Sequence, residues 1–410
     1  MKQYIIVLAI FFLYSETVLS VPTYDKNIDT LLCETFNLTT KDQGYLAPDI
    51  SFLFIDFKFN NGNVKICELG ASTHAGLTDS QVFVRGKQET MVSPYWNVLW
   101  PYLNKFTIPV WFVGWIAEKH RMTYHSFKAL DGKRARSLKD LEKKSLFQDQ
   151  AKKRLPNNPS IQDHAGIIIY RRPKGESYRD RKKFQKKYPN FLFLNDASRS
   201  YTAKHETAKL LEQNGLQEFK PGWHVYPKKY SPDLAQKISY DLPGDIVVIK
   251  PLKSMQSRGV NIIKKEDLDE LLKLILEDHH TIPLSAHRSL SHWKRDKSDS
   301  FIVEEFATSH LITREKRRYQ PTMRIVFGLT NNTGIISLTV FGGFWKIPLK
   351  SVDDPHASLI EQNVTIPFQG PFYVGIPISP RDMTQVKKSL GYLLPRMHLG
   401  MLKARKERKS

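Results

Sequence analysis

Three short stretches of this chain combine residue types that could hold a metal ion, a phosphate and a planar base. The run Phe54-Ile-Asp56-Phe57, a turn at Asn60-Asn-Gly-Asn63, and Val64-Lys-Ile-Cys-Glu68-Leu-Gly70 place two carboxylates on consecutive strands of a predicted hairpin. Both acids sit in apolar surroundings, where burial is costly unless cations pair with them. Magnesium shared between carboxylates and substrate phosphates would supply that pairing; the alternative is that either acid faces water. Asp245-Ile-Val-Val-Ile-Lys250-Pro251 is a buried-type strand ending in a lysine, with Ser257-Arg258-Gly259-Val260 following seven residues on. A cation at a sheet edge, next to a loop whose glycine lets backbone N–H groups approach an anion, is a phosphate-holding device. It differs from the Walker loop, whose spacing is absent, and a solvated lysine ending a hairpin would look the same. In Phe301-Ile-Val-Glu304-Glu305-Phe306 strand alternation sends the two acids to opposite faces. Such a backbone can hydrogen-bond a base while a carboxylate holds a ribose; an edge strand with solvated acids is the other reading. Arg324, inside Met323-Arg-Ile-Val-Phe327, has the fork that suits a phosphate or an acyl phosphate, or a salt bridge.

Sheets are needed to hold these groups, and the pattern supplies them. The hairpin over 49–69 pairs Phe52–Phe59 with Val64–Leu69 across Asn60-Asn-Gly-Asn. A strand at Val110–Trp115 follows an aromatic stretch with Trp96 and Trp100. Then Gly166–Tyr170, a basic helix, Phe191–Leu194, a helix near 202–213 and Ile246–Lys250 alternate, which argues for parallel α/β architecture. A helix at 266–277 carries Leu268, Leu271, Leu272, Ile275 and Leu276 on one face. Strands return at Phe301–Phe306, Thr322–Leu329 and Gly334–Phe341, before a helical segment at about 381–398 and a basic tail, Lys403–Lys409.

Length and composition narrow the classes. The 410 residues are enough for two or three packed units, and 41% hydrophobic with 11% aromatic content excludes a fibrous or wholly disordered chain. Lys and Arg number 62 against 41 Asp and Glu, a net charge of +21 that favours an anionic partner. Residues 119–188 hold 21 Lys or Arg against 7 Asp or Glu; within them 128–160, ending in Leu155-Pro-Asn-Asn-Pro159, reads as an exposed linker. Two cysteines, Cys33 and Cys67, are too few for a disulfide scaffold or a cysteine-built zinc site. Residues 1–20 have a basic start, an apolar run from Tyr4 to Tyr14 and a small residue at the end, the layout of an export signal and too short to span a bilayer; a buried first element is the alternative. If the chain is exported, Cys33 and Cys67 could pair. Asn37, Asn331 and Asn363 open glycosylation sequons. His279-His280 and His74 lack further ligands at metal spacing.

Taken in order, Asn195, Lys204, Lys209-Leu-Leu, Pro221, Val225, Val247-Val-Ile-Lys250-Pro, Ser257-Arg-Gly259-Val, Ile302-Val-Glu-Glu-Phe306 and Met323-Arg324-Ile-Val resemble successive landmarks of the ATP-grasp superfamily, over roughly 166–350. In that superfamily an acid-bearing strand and a Glu-x-Asn strand follow. Here the chain runs on through Gly343-Phe-Trp-Lys346 to a last helix, and the missing piece resembles the hairpin of Asp56 and Glu68 near the front. The resemblance therefore implies a circularly permuted ATP-grasp fold of α+β subdomains, joined to an α/β pre-ATP-grasp-like domain. Gly70 stands where the family has Asn. A rival placement, Glu361-Gln-Asn363, matches Glu-x-Asn but lacks the preceding strand, and the hairpin is preferred.

The implied organisation is a signal-like segment at 1–20, a permuted part of the core at 21–115, a basic region and α/β domain at 116–218, an ATP-binding lid at 219–310 and the remaining core with its basic tail at 311–410. The implied activity is ATP- and magnesium-dependent activation of a carboxylate as an acyl phosphate, for attack by an amine or similar nucleophile, on a small molecule, peptide or protein. By the same resemblance Lys250, with Lys209 or Lys204, would bind the phosphates and the loop Ser254–Gly259, with Ser257, Arg258 and Gly259, would close over them. Glu304, Glu305 and Phe306 would meet the adenosine, Asp56 and Glu68 would hold magnesium, and Arg324 would steady the transferred phosphoryl beside Lys250. Trp345 and Lys346 are candidates to face the acceptor. Two other readings stay open: a basic protein binding nucleic acid or anionic membrane, with Lys182, Lys183, Lys186 and Lys187 interleaved with Phe184 and Tyr188, and a nucleotide-binding scaffold that does not catalyse.

Overall fold

A computed structural model describes residues 35–70, 83–84, 87–88, 99, 102–114, 133–173, 175–201, 203–252, 254, 257–283, 287–365 and 374–408. The signal-like segment, Cys33, His74, Trp96, Trp100, Trp115, the part of the basic stretch before 133 and the last tail residues lie outside them. All of the described residues fall within the unit Cys33–Ser410, whose architecture follows.

Its strands begin with β1 (Thr35–Thr39), β2 (Asp49–Asn60), β3 (Asn63–Gly70) and a two-residue ribbon, β4 (Phe83–Val84) with β5 (Lys87–Gln88). Next come β6 (Val110–Val113), β7 (Arg134–Ala135), helices α1 (Leu138–Glu142) and α2 (Ser145–Ala151), β8 (Gly166–Tyr170), α3 (Tyr178–Lys187), β9 (Phe191–Phe193) and α4 (Lys204–Gln213). Then follow β10 (Trp223–Pro227), α5 (Leu234–Asp241), β11 (Ile246–Pro251), β12 (Asn261–Lys264), α6 (Leu268–Leu272), α7 (Arg288–Ser291) and β13 (Ser300–Glu305). The chain ends with the ribbon β14 (Ile312–Arg314) and β15 (Arg317–Tyr319), the long strands β16 (Thr322–Asn332) and β17 (Ile335–Ile347), α8 (Leu359–Asn363), β18 (Val374–Pro377) and α9 (Pro380–Glu407).

These elements make three principal sheets. The largest has the order β1-β17-β16-β2-β3, with β18 on the other end of β17, and is antiparallel throughout. The predicted hairpin is its β2–β3 edge, with Asn61 and Gly62 at positive φ in the turn. One face, carrying Leu53, Ile55, Phe57, Phe59, Met323, Ile325, Phe327 and Leu329, packs under α9 and α4. The opposite face is divided. Ile50, Phe52, Phe54 and Val326 pack against a parallel sheet of order β7-β6-β8-β9, through Val110, Phe112, Ile167 and Ile169. Asp56, Lys58, Thr322 and Lys346, further along the same strands, face a cleft instead. Burial on both faces explains why β2 is solvent-shielded over eleven residues, and it rules out the alternative that Asp56 points to water.

The third sheet, β10-β13-β11-β12, is also antiparallel. Val247, Ile249, Phe301 and Val303 pack on α5, α6 and Trp293, while Val248, Lys250, Ile262 and Glu304 alternate to the cleft side.

Some expectations are corrected. The alternation reading suits β6 to β9, whose strands are parallel, but Ile246–Pro251, grouped with them, pairs antiparallel with β12 and β13. The described part of the expected linker 128–160 carries β7, α1 and α2, because Leu138, Leu141 and Phe147 bury against the parallel sheet with Trp111 and Phe184. The helix expected at 266–277 is α6 preceded by a 3-10 turn and continued by a π turn at Lys273–Glu277. Asn331 and Asn363 are buried, so two of the three sequons are closed to modification. Among the described residues no helix is long and apolar enough to cross a membrane.

Candidate functional site

The cleft between the large sheet and β10-β13-β11-β12 gathers most of the residues singled out from sequence. Asp56, Glu68, Lys204, Lys250, Ser257, Glu304, Glu305 and Phe306 line it, with Lys58, Cys67, Thr322, Lys346 and Asn363–Thr365. Asp56 and Glu68 are cross-strand partners in β2 and β3, and the register slips by one between Asp56 and Phe57. That bulge, in which Cys67 is the extra residue, lets the neighbours Cys67 and Glu68 both reach the cleft where a regular strand would present only one.

Two buried ion-pair nodes stand on opposite walls. On the large sheet, β16 lies beside β2 with Arg324 opposite Asp56. Arg324 donates from Nε and Nη2 to the two Asp56 oxygens, at 2.6 and 2.7 Å, and Lys346 Nζ adds 2.8 Å to Oδ2. The Arg324 guanidinium also sits 4.1 Å over the Phe54 ring. Burial alone would raise the Asp56 pKa, but the charges and hydrogen bonds of Arg324 and Lys346 outweigh it and hold it at about 2. On the smaller sheet, Glu304 accepts from Lys220 Nζ at 2.7 Å and from Lys250 Nζ at 2.5 Å. Burial again pushes up and the two lysines prevail, leaving Glu304 at about 2. Lys250 is raised despite its burial, by the Glu304 charge.

Two further ammonium groups are buried without a carboxylate partner among the described residues. Lys58 Nζ donates to the carbonyl oxygens of Gln320, Pro321 and Asn363, at 3.4, 3.1 and 3.2 Å. Lys204 Nζ donates to Ser254 O and Oγ, at 2.7 and 2.9 Å. Burial lowers both lysines to about 8, in Lys204 against the opposing pull of Glu68. Glu68 itself makes no hydrogen bond or ion pair to the described residues. Counting both nodes, among the described residues six cations (Lys58, Lys204, Lys220, Lys250, Arg324, Lys346) stand with four carboxylates (Asp56, Glu68, Glu304, Glu305). A cleft with buried positive charge in excess is built for an anion.

One end of the cleft is apolar. Val248, Val260 and Val364 form a separate small cluster with Ile262, Phe306 and Ile360. The adjoining loop is fixed by Gly259, at φ +73, whose carbonyl accepts from Asn261 Nδ2 and Trp293 Nε1. A Cβ there would meet Pro251 Cγ at 2.4 Å, so the glycine is required by both conformation and space.

Several expected roles change. Arg324 is committed to Asp56, which makes it the residue that holds that carboxylate. Glu304 is occupied by the two lysines, and Glu305 Oε2 accepts from Gly222 N at 2.9 Å, so of the three residues expected at an adenosine only Phe306 joins the apolar slot. Lys209 is exposed and does not line the cleft: five residues along α4 turn it about 140° from Lys204. Arg258 is likewise exposed and outside the lining. Glu361 caps α8 through Ser358 N and Oγ, whereas Asn363 reaches the cleft. Gly70 admits no side chain, because a Cβ would fall 2.0 Å from the Phe54 ring. Phe184 and Tyr188 are core residues and not a stacking platform beside the exposed lysines of α3. Sequence reasoning missed Lys58 as a cleft residue, although its place two residues after Asp56 put it on the same strand face, and it missed Lys220, for which the sequence offers no signal.

The donor set bears on two groups. Among the described residues no cluster of three metal-ligating side chains exists, and both Asp56 oxygens are engaged, so Glu68 is the carboxylate open to a cation. This fits magnesium, which takes one or two carboxylates and completes its shell with phosphates and water. The lysines and apolar slot fit a nucleoside triphosphate.

The chain matches no protein-family model and no curated protein. Among solved structures it is similar to a provisionally assigned gamma-glutamylcysteine synthetase from Methylobacillus flagellatus KT, at 10% identity over 90% of this chain and 91% of that one, with a TM-score of 0.39. It is similar also to a glutathione synthetase-like effector from Globodera pallida in its apo form, at 12% identity over 74% of each chain, with a TM-score of 0.34. Likeness at this level carries no weight for function; the residues of the cleft do.

Proposed function

We propose that the chain is an ATP- and magnesium-dependent ligase-like enzyme that activates a carboxylate as an acyl phosphate for attack by an amine or similar nucleophile. The observation that carries this reading is the pair of ammonium groups buried without carboxylate partners among the described residues, Lys58 and Lys204, in a cleft that also has an apolar slot and an acid, Glu68, that no described residue engages. Lys204, Lys250 and Ser257 receive the phosphates, and the apolar slot receives the base. A carboxylate oxygen of the substrate attacks the γ-phosphorus, the bond to the β–γ bridging oxygen breaks, and ADP leaves. The nucleophile then displaces phosphate from the acyl carbon and gives up its proton to solvent. The protein's part is positioning and charge stabilisation in a water-poor cleft. Glu68 would hold the magnesium, which would neutralise phosphate charge when bound; Arg324 and Lys346 keep Asp56 ionised and oriented on the same wall. The order of the elements, with the acid-bearing hairpin ahead of the lysine-bearing strands, is read as a circular permutation of the ATP-grasp arrangement. If residues 1–20 direct export, the protein acts where ATP is present.

The commitment of both Asp56 oxygens favours one second reading, a scaffold that binds nucleotide without turnover. The test is thermal-shift and ADP-release measurement with ATP and magnesium over a panel of carboxylates and amines. ATP is expected to stabilise the protein and Lys250→Ala to remove that effect; a wild type indifferent to nucleotide refutes the proposal. Stabilisation without ADP release under any pairing selects the scaffold.

A further inference from the structure

The face of the parallel sheet turned away from the large sheet is covered by α1, α2 and α3, which bury Leu141, Phe147 and Phe184 against Trp111 and Ile168. The outer side of these helices takes no part in the cleft, and it is strongly charged. Residues 133–187 hold 18 Lys or Arg against 6 Asp or Glu, a net of +12 within a chain of +21. Every cation of α3 except Arg181 is exposed, and so are Lys139 and Lys143. Two contacts join α1 to α3: Glu176 accepts from Leu138 N and Glu142 Oε1 receives Lys187 Nζ, both at 2.8 Å. The other acids here are spent on the helix starts, Asp140 on Arg136 N and Asp180 on Ser177 N and Oγ. Along α3, Arg179 and Lys183, and Lys182 and Lys186, are like charges four residues apart, a spacing that costs helix stability until an anion lies over it.

Two features favour a lipid surface over a nucleic acid as that anion. The aromatic side chains of α3 that could stack on bases, Phe184 and Tyr188, are in the core beneath the helix. The large apolar side chains exposed among the cations are instead Leu146 on α2 and Tyr178 at the start of α3. Lys182 Nζ stands 5.2 Å from the centre of the Tyr178 ring and the Arg199 guanidinium 5.5 Å from it. An exposed leucine or tyrosine set among cations suits the boundary of a bilayer, where the ring or alkyl group enters and the ammonium groups meet the headgroups. We propose that the outer face of α1, α2 and α3 docks on an anionic membrane surface, its lysines on the headgroups and Leu146 and Tyr178 between them. This does not rest on the proposed function, since no residue of this face lines the cleft.

The test is sedimentation of the full chain with vesicles of neutral phosphatidylcholine, and with the same lipid carrying about one-third phosphatidylserine. Binding is expected only to the anionic vesicles, and it should fall steeply between low salt and about 0.5 M salt, as screening shortens the reach of the field. Each cation near such a surface adds about fivefold to the affinity, so Lys182→Ala/Lys183→Ala/Lys186→Ala should lose about a hundredfold. Leu146→Ser/Tyr178→Ser should weaken vesicle binding about threefold or more and leave its salt dependence as in wild type. All five side chains are exposed, so the melting temperatures should match wild type. If the triple variant melts early, Lys139→Ala/Lys143→Ala carries the same comparison, with about a twentyfold loss. Anionic vesicles left unbound, neutral vesicles bound as well as anionic ones, or full binding by the lysine variants overturns the proposal. So does single-stranded RNA that strips the protein from the vesicles at equal phosphate concentration, which assigns the surface to nucleic acid. A protein indifferent to ATP that still binds anionic vesicles refutes the proposed function and leaves this inference standing.

Discussion

Replacing Glu304 with Gln should destabilise the protein by about 3 kcal/mol at neutral pH. Glu304 is fully buried and holds two ammonium groups, Lys220 at 2.7 Å and Lys250 at 2.5 Å. Its pKa falls from 4.5 to about 2, and a gap of that size at 1.36 kcal/mol per unit gives about 3 kcal/mol. The figure agrees with the roughly 3–5 kcal/mol seen when one partner of a buried ion pair is removed, because the stranded charges lose their counterion while staying out of water. Since the folded pKa lies below the unfolded one, the contribution is complete above about pH 4.5 and disappears as pH falls towards 2. The assay is urea unfolding of wild type, Glu304→Gln and the double variant Glu304→Gln/Lys220→Met, at pH 7 and at steps down to pH 3. Wild type should lose about 2 kcal/mol of this increment by pH 3, and Glu304→Gln should not. The double variant should recover part of the loss at pH 7, having one stranded ammonium in place of two. A Glu304→Gln protein as stable as wild type, or a double variant no better than the single, would refute the account of the node as a charge held in place by its neighbours.

Four other outcomes follow from the same geometry. Lys204→Met should weaken ATP binding about tenfold or more in calorimetry, and wild-type affinity should fall as pH rises through about 8, where Lys204 loses its proton. Lys209→Ala should leave the ATP-induced thermal shift as in wild type, since the side chain is exposed and outside the cleft. Glu68→Gln should raise the magnesium concentration needed for half-maximal nucleotide stabilisation without lowering the melting temperature of the unliganded protein, because Glu68 holds no group among the described residues. Gly70→Asn, which would restore a family-like residue, should instead lower the melting temperature by several degrees, since the added Cβ meets the Phe54 ring under Arg324.

The strands were readable from the chain because their chemistry is local. Strand-like apolar runs on either side of Asn60-Asn-Gly-Asn located β2 and β3, and the apolar runs ending in Lys250 and Phe306 located β11 and β13 within a residue or two. The same alternation places Asp56 with Lys58, and Lys250 with Val248, on common faces. Side-chain character alone flagged Asp56 and Glu68 as groups that burial would make costly and Lys250 and Glu304 as candidates to meet a ligand, and all four line the cleft.

What tertiary structure decided is which charge meets which. Arg324 reaches Asp56 only because β16 pairs with β2 across 268 positions, a register set by the packing of both sheet faces and by no neighbour in sequence. The slip at Asp56 turns Cys67 and Glu68 together into the cleft, the pairing of β10 with β13 brings Lys220 to Glu304, and the position of α8 leaves the Asn363 oxygen without a donor. Electrostatic energy depends on distance and on how much water has been removed, and neither quantity exists along the chain until the sheets have closed on one another.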